Sequence, residues 1–358
     1  MNIFLCKTPM QILRALQLTY YEKDFENSDI CIFNTFENAE HLYKRLIKIE
    51  IFHSVYFFKN NDFLKRNFNY LRSILCMNDF NRHIWNNTYS SITIFNSDTY
   101  DGFSAYNILK KKTEVWFVED APMIYSYQVP SRRNVLLYKL IGLEFPILKV
   151  NRWYFSVPEK MHRTNNAQVF KLKPLNKDDK DFVSIVNKVF DYTPDDTINK
   201  TDVFIMEECF FTDGLMEKSS DYQLYKSLKD EFNSLFFTVK LHPRTKINRF
   251  KNEFNCIQKS TIPWEVFLLN EEIDNKIFLS ISCTTMLSPK LLFDKEYRCI
   301  LLYKFIGKSV KRENGTPYYN QEWINLLDEL SDLYSNKNNV CSPISETELV
   351  STIRKWIH

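Results

Sequence analysis

Short apolar runs alternate with amphipathic stretches along the first half of this chain, break off, and then begin again. That repetition constrains the fold more than any other feature. Strands joined by helices lie parallel, and the helices cover both faces of the sheet. The runs predict strands at Asn2–Cys6, Asp29–Asn34, Ser54–Phe58, Ser91–Asn96, Glu114–Glu119 and Arg152–Val157. Helices are predicted at Pro9–Tyr21, Ala39–Ile49, Phe63–Cys76 and Phe103–Lys111. The pattern fails from Phe170 to Thr201, where only VSIVNKVF reads as helical. It restarts with strands at Asp202–Met206, Leu235–Lys240, Lys276–Ile281 and Cys299–Tyr303. The matching helices fall at Asp221–Asn233, Pro263–Leu269, Met286–Phe293, Gln321–Ser335 and Glu346–Trp356. The expected architecture is α/β, with two Rossmann-like domains facing a central cleft. The first spans 1–170, a linker with a leading helix spans 171–201, and the second spans 202–358 and ends in helices.

A length of 358 residues suits two such domains, each with its own core. With only five glycines, all far apart, the chain has neither a GxGxxG dinucleotide fingerprint nor a Walker A loop. Most dehydrogenases and P-loop nucleotidases are excluded on that ground. The formal charge of +3 gives no nucleic-acid footprint. Basic residues do gather at Arg132, Arg133, Lys139, Lys149 and Arg152, a solvated charged face or a patch suited to an anionic donor or to peripheral contact with the anionic inner face of a membrane. The eight cysteines contain no CxxC and sit mostly in apolar runs, which fits buried thiols in a reducing cytoplasm. No apolar run approaches ~18 residues, and the first residues do not read as a secretion signal. A cytoplasmic protein is expected. Aromatic residues are abundant at 16%, a level set mainly by codon bias and compatible with a sugar-stacking surface or a homodimer.

In open α/β sheets, ligands bind beyond the carboxyl ends of the strands, so the residues that follow each strand carry the functional signal. After the first strand, CKTPMQ places Thr8 as N-cap, a proline at the first helical position and Gln11 three residues on. The helix start offers free N–H groups to an anion. Asn96 closes the strand at 91–96, and Glu119 and Asp120 close the strand at 114–119. Such carboxylates serve as a general base or hold sugar hydroxyls. In the second half, Asp213 precedes Gly214 in the loop after the first strand. The sharpest signal is VKLHPR, which sets Lys240, His242, Pro243 and Arg244 at a strand end, suited to a phosphate. SISCTT then places Ser282, Thr284 and Thr285 between a strand and a helix, a cradle of hydroxyls and amides. Between these lies Glu265, placed to accept from ribose hydroxyls or to favour the helix dipole.

Taken together, FLCKTPMQIL, VKLHPR, ISCTT and FTDGLM resemble the bacterial sialyltransferases of glycosyltransferase family 52, with kinship to the polysialyltransferase and family 80 groups. The resemblance implies a GT-B fold. It also implies an inverting transfer of sialic acid from CMP-sialic acid to a glycan ending in galactose or sialic acid, in surface polysaccharide or lipooligosaccharide synthesis. Under it, Asp213 is the favoured general base, with Asp120 the competitor, because EDA at 119–121 lacks the family's closing glycine. His242 would donate to the departing phosphate. Lys240, Pro243, Arg244, Glu265, Ser282, Thr284, Thr285, Thr8 and Gln11 would hold the donor, and Glu119 and Asn96 the acceptor. No DxD stands in a suitable strand-end loop, so no metal and no cofactor are expected. The alternative enzyme is another GT-B glycosyl- or phosphotransferase of capsule synthesis with a UDP-, GDP- or CDP-activated donor. A sugar-binding protein with a degenerate cleft is the non-enzyme reading.

Overall fold

The computed structural model describes residues 1–59, 69–96, 99–109, 112–126, 130–161, 167–216, 218–245, 247–257 and 262–357. It divides into two compact units, Met1–Tyr192 and Thr193–His358.

In the first unit, strands β1 (Asn2–Cys6), β2 (Asp29–Phe33), β3 (Ser54–Phe58), β4 (Ser91–Ile94), β5 (Glu114–Val118), β6 (Val150–Phe155) and β7 (Gln168–Lys171) form one sheet in the order β3-β2-β1-β4-β5-β6-β7. Every neighbouring pair is parallel. Helices α1 (Pro9–Tyr21), α2 (Ala39–Ile49), α3 (Tyr70–Leu75), α4 (Asp79–Asn86), α5 (Tyr100–Ile108), α6 (Arg132–Leu140) and α7 (Lys180–Phe190) surround it. All residues of β1, β2 and β4 are buried, as expected when helices cover both faces of a parallel sheet. Much of the aromatic content fills this core. Phe4 stacks on Phe25 at 5.3 Å, and Phe117 lies 4.9 Å from Trp153, so these rings are packing rather than sugar platforms.

Helix α7, read from the sequence as part of a connector, packs on α1 and α2 of this unit. Its apolar residues Phe182, Val186 and Phe190 are buried. Of the helix expected at Phe63–Cys76, the portion at 63–68 lies outside the described residues, and α3 accounts for the rest.

The second unit repeats the plan with β8 (Val203–Met206), β9 (Phe237–Lys240), β10 (Asn255–Ile257), β11 (Ile277–Ser280), β12 (Arg298–Leu301) and β13 (Val340–Cys341), ordered β10-β9-β8-β11-β12-β13 and again parallel. Its helices are α8 (Asp196–Lys200), α9 (Lys218–Glu231), α10 (Trp264–Asn270), α11 (Ser288–Phe293), α12 (Gln321–Ser331) and α13 (Glu346–Ile357). In both sheets the strand order reverses once, between β1 and β4 and between β8 and β11. Those reversals are where crossover helices diverge to opposite faces and leave a crevice at the carboxyl edge.

Glycine is scarce enough that other residues take left-handed backbone at helix ends. Glu50 (φ 54°), Asp191 (φ 53°) and Asp294 (φ 51°) close α2, α7 and α11. Among the described residues, no helix is long and apolar enough to cross a membrane.

Candidate functional site

The carboxyl edge of the first sheet is built around the start of α1. Thr8 is extended and accepts from the Gln11 amide at 3.2 Å, so the expected cap forms. The Gln11 side chain does not close the capping box. Its Oε1 accepts from the Lys7 backbone N–H at 2.7 Å, and its Nε2 donates to Asp120 Oδ2, also at 2.7 Å. Lys7 pairs with the buried carboxylate of Asp101. At the strand reversal, Lys7, Gln11, Asn96, Thr99 and Asp101 line a narrow crevice. Asn96, expected to hold an acceptor, is therefore placed with Gln11 at this edge.

Glu119 and Asp120, adjacent in sequence, have opposite fates. Glu119 is buried, and its Oε2 accepts from Tyr125 Oη at 2.6 Å and the Ser156 N–H at 2.7 Å. Arg14 lies against Oε1 at 3.4 Å and donates from Nε to the Glu119 carbonyl at 3.0 Å. Glu119 thus ties α1, β5 and the end of β6 together and presents nothing to a ligand. Asp120 is half-buried beside the crevice. Burial is the main reason its carboxyl is pushed up to about 6, against the opposing effects of Gln11 and Arg14. A carboxyl tuned to that range suits general base work near neutrality.

In the second unit, Glu207 and Glu208 leave β8 at the strand reversal. Glu208 accepts from Ser280 Oγ at 2.9 Å, the Ser282 N–H at 2.7 Å and Ser282 Oγ at 2.7 Å. Ser282 in turn meets Tyr319 Oη at 2.6 Å. Burial raises the Glu208 carboxyl to about 7. Ser282, expected to hold a donor phosphate, is committed to this internal network. Thr284 and Thr285 stay half-buried at the turn that leads into α11, with Thr285 bonded to the Cys283 thiol. The network fixes the loop that carries them.

His242 stands just past β9, as the strand-end reading predicted. Its N–H donates to Glu207 Oε2 at 3.1 Å, and its Nδ1 accepts from the Arg244 N–H at 3.1 Å, with Cys209 Sγ 2.9 Å away. An accepting Nδ1 leaves the proton on Nε2. Burial, together with Arg244 and Lys240, pushes the imidazole down to about 4. That downward shift favours the neutral ring, whose Nε2–H is placed to donate a hydrogen bond.

Lys240 is only 9% exposed, and burial lowers its pKa. It lies within electrostatic reach of Cys283 and Glu265, and among the described residues its ammonium has no ion-pair partner. Glu265 is buried at the start of α10 and accepts from Ser288 Oγ at 2.7 Å. Pro243 and Arg244 are exposed on the turn. Asp213 is also exposed and is paired with Arg244 at 3.2 Å. Deep in the same unit, Arg249 grips Asp221 through two nitrogens and approaches Glu207 at 3.9 Å, so its charge is already matched.

Along the second edge stand Lys240, His242 and Arg244 after β9 and Thr284 and Thr285 after β11, with Glu265 within electrostatic reach of Lys240. Sequence reasoning missed Glu207, Glu208 and Tyr319. The consecutive glutamates after an apolar strand were a usable signal, whereas Tyr319 had none. Among the described residues, no group of His, Cys, Asp and Glu side chains is arranged to hold a metal ion.

No protein-family model matches the chain. No curated protein sequence matches it either. Solved structures do. A UDP-GlcNAc 2-epimerase from Neisseria meningitidis bound to UDP-GlcNAc aligns at TM-score 0.51 and 14% identity, covering 99% of this chain and 100% of that one. The glycotransferase of kitacinnamycin aligns at TM-score 0.51 and 7% identity, over 99% of this chain and 90% of that one. LpCGTa in complex with UDP gives TM-score 0.50 at 10% identity, over 99% and 90%. At such identities the likeness shows the fold alone: two parallel-sheet α/β, Rossmann-like units of the GT-B kind.

The resemblance to family 52 sialyltransferases is withdrawn on these findings. The similar structures are UDP-GlcNAc 2-epimerases, the glycotransferase of kitacinnamycin and LpCGTa in complex with UDP. The motifs that carried the resemblance have local explanations. CKTPMQ is a helix start, and ISCTT is a strand-to-turn junction tied to Glu208. Such pieces occur wherever a β-strand feeds a helix, so they do not specify a donor. CMP-sialic acid and a sialic acid- or galactose-ended acceptor lose the support they drew from it.

Proposed function

We propose that this chain is a glycosyltransferase that takes a nucleoside-diphosphate-sugar, with a UDP-sugar the first donor to test. One observation carries the reading. Lys240 and Arg244 bracket a neutral His242 at a strand end, in the same unit as the half-buried hydroxyls of Thr284 and Thr285. Lys240, an Arg244 that shares its charge with Asp213, an Nε2–H and two hydroxyls supply the kinds of group that bind a diphosphate. The buried Lys240, with no counter-charge of its own, makes a site that gains from receiving an anion.

In this reading Lys240, Arg244 and His242 stabilise the charge that develops on the departing nucleotide. Thr284 and Thr285 hold its phosphate oxygens, and Glu265, anchored by Ser288, accepts from the ribose. A base removes the proton of the acceptor hydroxyl as that oxygen bonds the anomeric carbon and the bond to phosphate breaks; Asp120, its carboxyl pushed up to about 6, is the base the first unit offers. A single displacement inverts the anomeric centre. The cations provide the charge stabilisation that a metal provides elsewhere, so turnover is expected to survive EDTA.

A second reading, a nucleotide-sugar 2-epimerase, is favoured by the fold likeness to UDP-GlcNAc 2-epimerase. The deciding experiment incubates the protein with UDP-, GDP- and CDP-sugars, with and without sugar acceptors, and follows nucleotide release and sugar configuration by NMR. Acceptor-stimulated release of a nucleoside diphosphate supports the transferase. Epimerisation of UDP-GlcNAc without acceptor supports the second reading. Release of a nucleoside monophosphate from a CMP-linked sugar, or no binding of any nucleotide, sinks the diphosphate proposal.

A further inference from the structure

The five basic residues that cluster in sequence separate in the fold. Lys149 is paired with Glu144 at 3.4 Å. Arg152 is matched by Asp24 and Glu114 and stacks over Trp116, with its guanidinium carbon 4.7 Å from the ring centroid. Arg132, Arg133 and Lys139 remain exposed on α6.

Helix α6 is unlike the other helices around the first sheet. It buries none of its residues, although it reads RRNVLLYKL. Tyr138 turns inward, against Tyr70, Phe103 and Phe145. Leu136, Leu137, Leu140 and, just beyond the helix, Ile141 face out, with Leu140 84% and Leu136 64% exposed. Spacings of one, four and five residues put these four on a single face. The neighbouring α3, joined through the Tyr70–Tyr138 contact, adds exposed Leu71 and Leu75, and Met77 follows it. So many exposed apolar side chains on one helix face and its neighbour are uncommon on a monomer unless something covers them.

We propose that this face docks on an anionic phospholipid bilayer, with α6 lying in the plane of the interface. Charge decides the occupant. Arg132 and Lys139 flank the leucines, Arg133 stands one turn before Leu137 at the helix start, and all three carry cations with no carboxylate partner among the described residues, so the long basic side chains can reach headgroup phosphates while the apolar side enters the acyl boundary. This inference is independent of the donor and the reaction.

The test is flotation of the full chain with vesicles of phosphatidylcholine alone and of phosphatidylcholine with phosphatidylglycerol. Binding to the anionic vesicles, weakened by salt, is expected. The Leu137→Ser, Leu140→Ser double variant should bind at least about tenfold more weakly, since two side chains no longer leave water. Arg132→Gln and Arg133→Gln should each cost roughly fivefold. None of these side chains is buried, so unchanged thermal melting shows that the variants are folded. Absence of binding to anionic vesicles overturns the proposal, as does equal binding by the double variant. A dimer in sedimentation that the double variant dissociates, without vesicle binding, overturns it in favour of a second copy of the chain.

Discussion

Gln11 Nε2 donates to Asp120 Oδ2 at 2.7 Å, so the first turn of α1 holds the carboxylate that closes β5. The bond favours the ionised carboxylate and works against the burial that raises its pKa to about 6. Asp120→Asn should lower kcat about 10²–10⁴-fold with nucleotide affinity unchanged, read by steady-state kinetics beside calorimetric titration. Gln11→Leu should move the acidic limb of the pH–rate profile upward, because an interaction that lowers the pKa is lost. An Asp120→Asn variant with near-normal kcat would remove Asp120 from the mechanism.

The same carboxyl makes a stability prediction of definite sign. Its folded pKa lies above the ordinary 3.8, so the folded state holds the proton more tightly than the unfolded chain. Stability from this group is present at low pH and is lost as pH rises from about 4 through about 6. Asp120→Asn should therefore melt higher than the wild type at pH 8 and lose that advantage at pH 4, which differential scanning fluorimetry would read directly.

For His242 the sign is opposite in pH. The imidazole is pushed from its ordinary 6.5 to about 4, so between those values the unfolded chain binds a proton that the folded one does not. Stability falls as pH drops through that window. His242→Gln should flatten the fall. In kinetics, no limb near 6.5 should belong to His242, and His242→Ala should weaken nucleotide binding more than His242→Gln, which keeps an N–H donor. A pH–rate limb near 6.5 that vanishes in both variants would show an acid role after all.

Lys240 places a cation in a nearly closed position without a carboxylate on it. Lys240→Met should raise the melting temperature of the free protein, since a desolvated charge is replaced by an apolar chain of similar length. It should also reduce the stabilisation given by UDP, with Kd rising roughly 10–100-fold, as for a lost charge-assisted contact. Thermal shift with and without UDP measures both. A variant that melts lower yet keeps its UDP shift would show that Lys240 is structural.

Glu208 should be the most sensitive carboxylate for folding. Glu208→Ala leaves Ser280 and Ser282, the latter also bonded to Tyr319, without their shared acceptor and should cost about 3 kcal/mol or more in urea unfolding. Nucleotide binding should also suffer in the folded remainder, because the loop bearing Thr284 and Thr285 is no longer fixed. Equal stability of the variant would mean that the serines find other partners.

The repetition of apolar runs reveals both sheets because buried parallel strands and amphipathic helices leave strong local patterns. Helices α1 and α2 fall where the sequence places them, and β1 and β3 match end to end. Strands β7, β10 and β13 escape such reading. They have four residues or fewer and lie at sheet edges or short pairings, so a neighbouring strand defines them rather than any pattern of their own. Helix α6 escapes because its apolar residues face outward and mark no core. At the site, strand-end logic places His242, Lys240 and the threonines, since position after a strand is a local property. It cannot separate Glu119 from Asp120, which differ only in what the fold wraps around them. Nor can it join Tyr319 to Ser282 across 37 residues.

Closing helices on Glu50, Asp191 and Asp294 leaves this scaffold with a reserve for engineering. An L-residue in left-handed backbone carries a conformational penalty of about 1 kcal/mol that glycine avoids. Asp191 and Asp294 recover part of it through Arg45 and Lys290, whereas for Glu50 no such pair is seen among the described residues. Glycine at position 50, beyond α2 and away from either strand-end cluster, is thus a route to a hardier protein whose chemistry is left as it was.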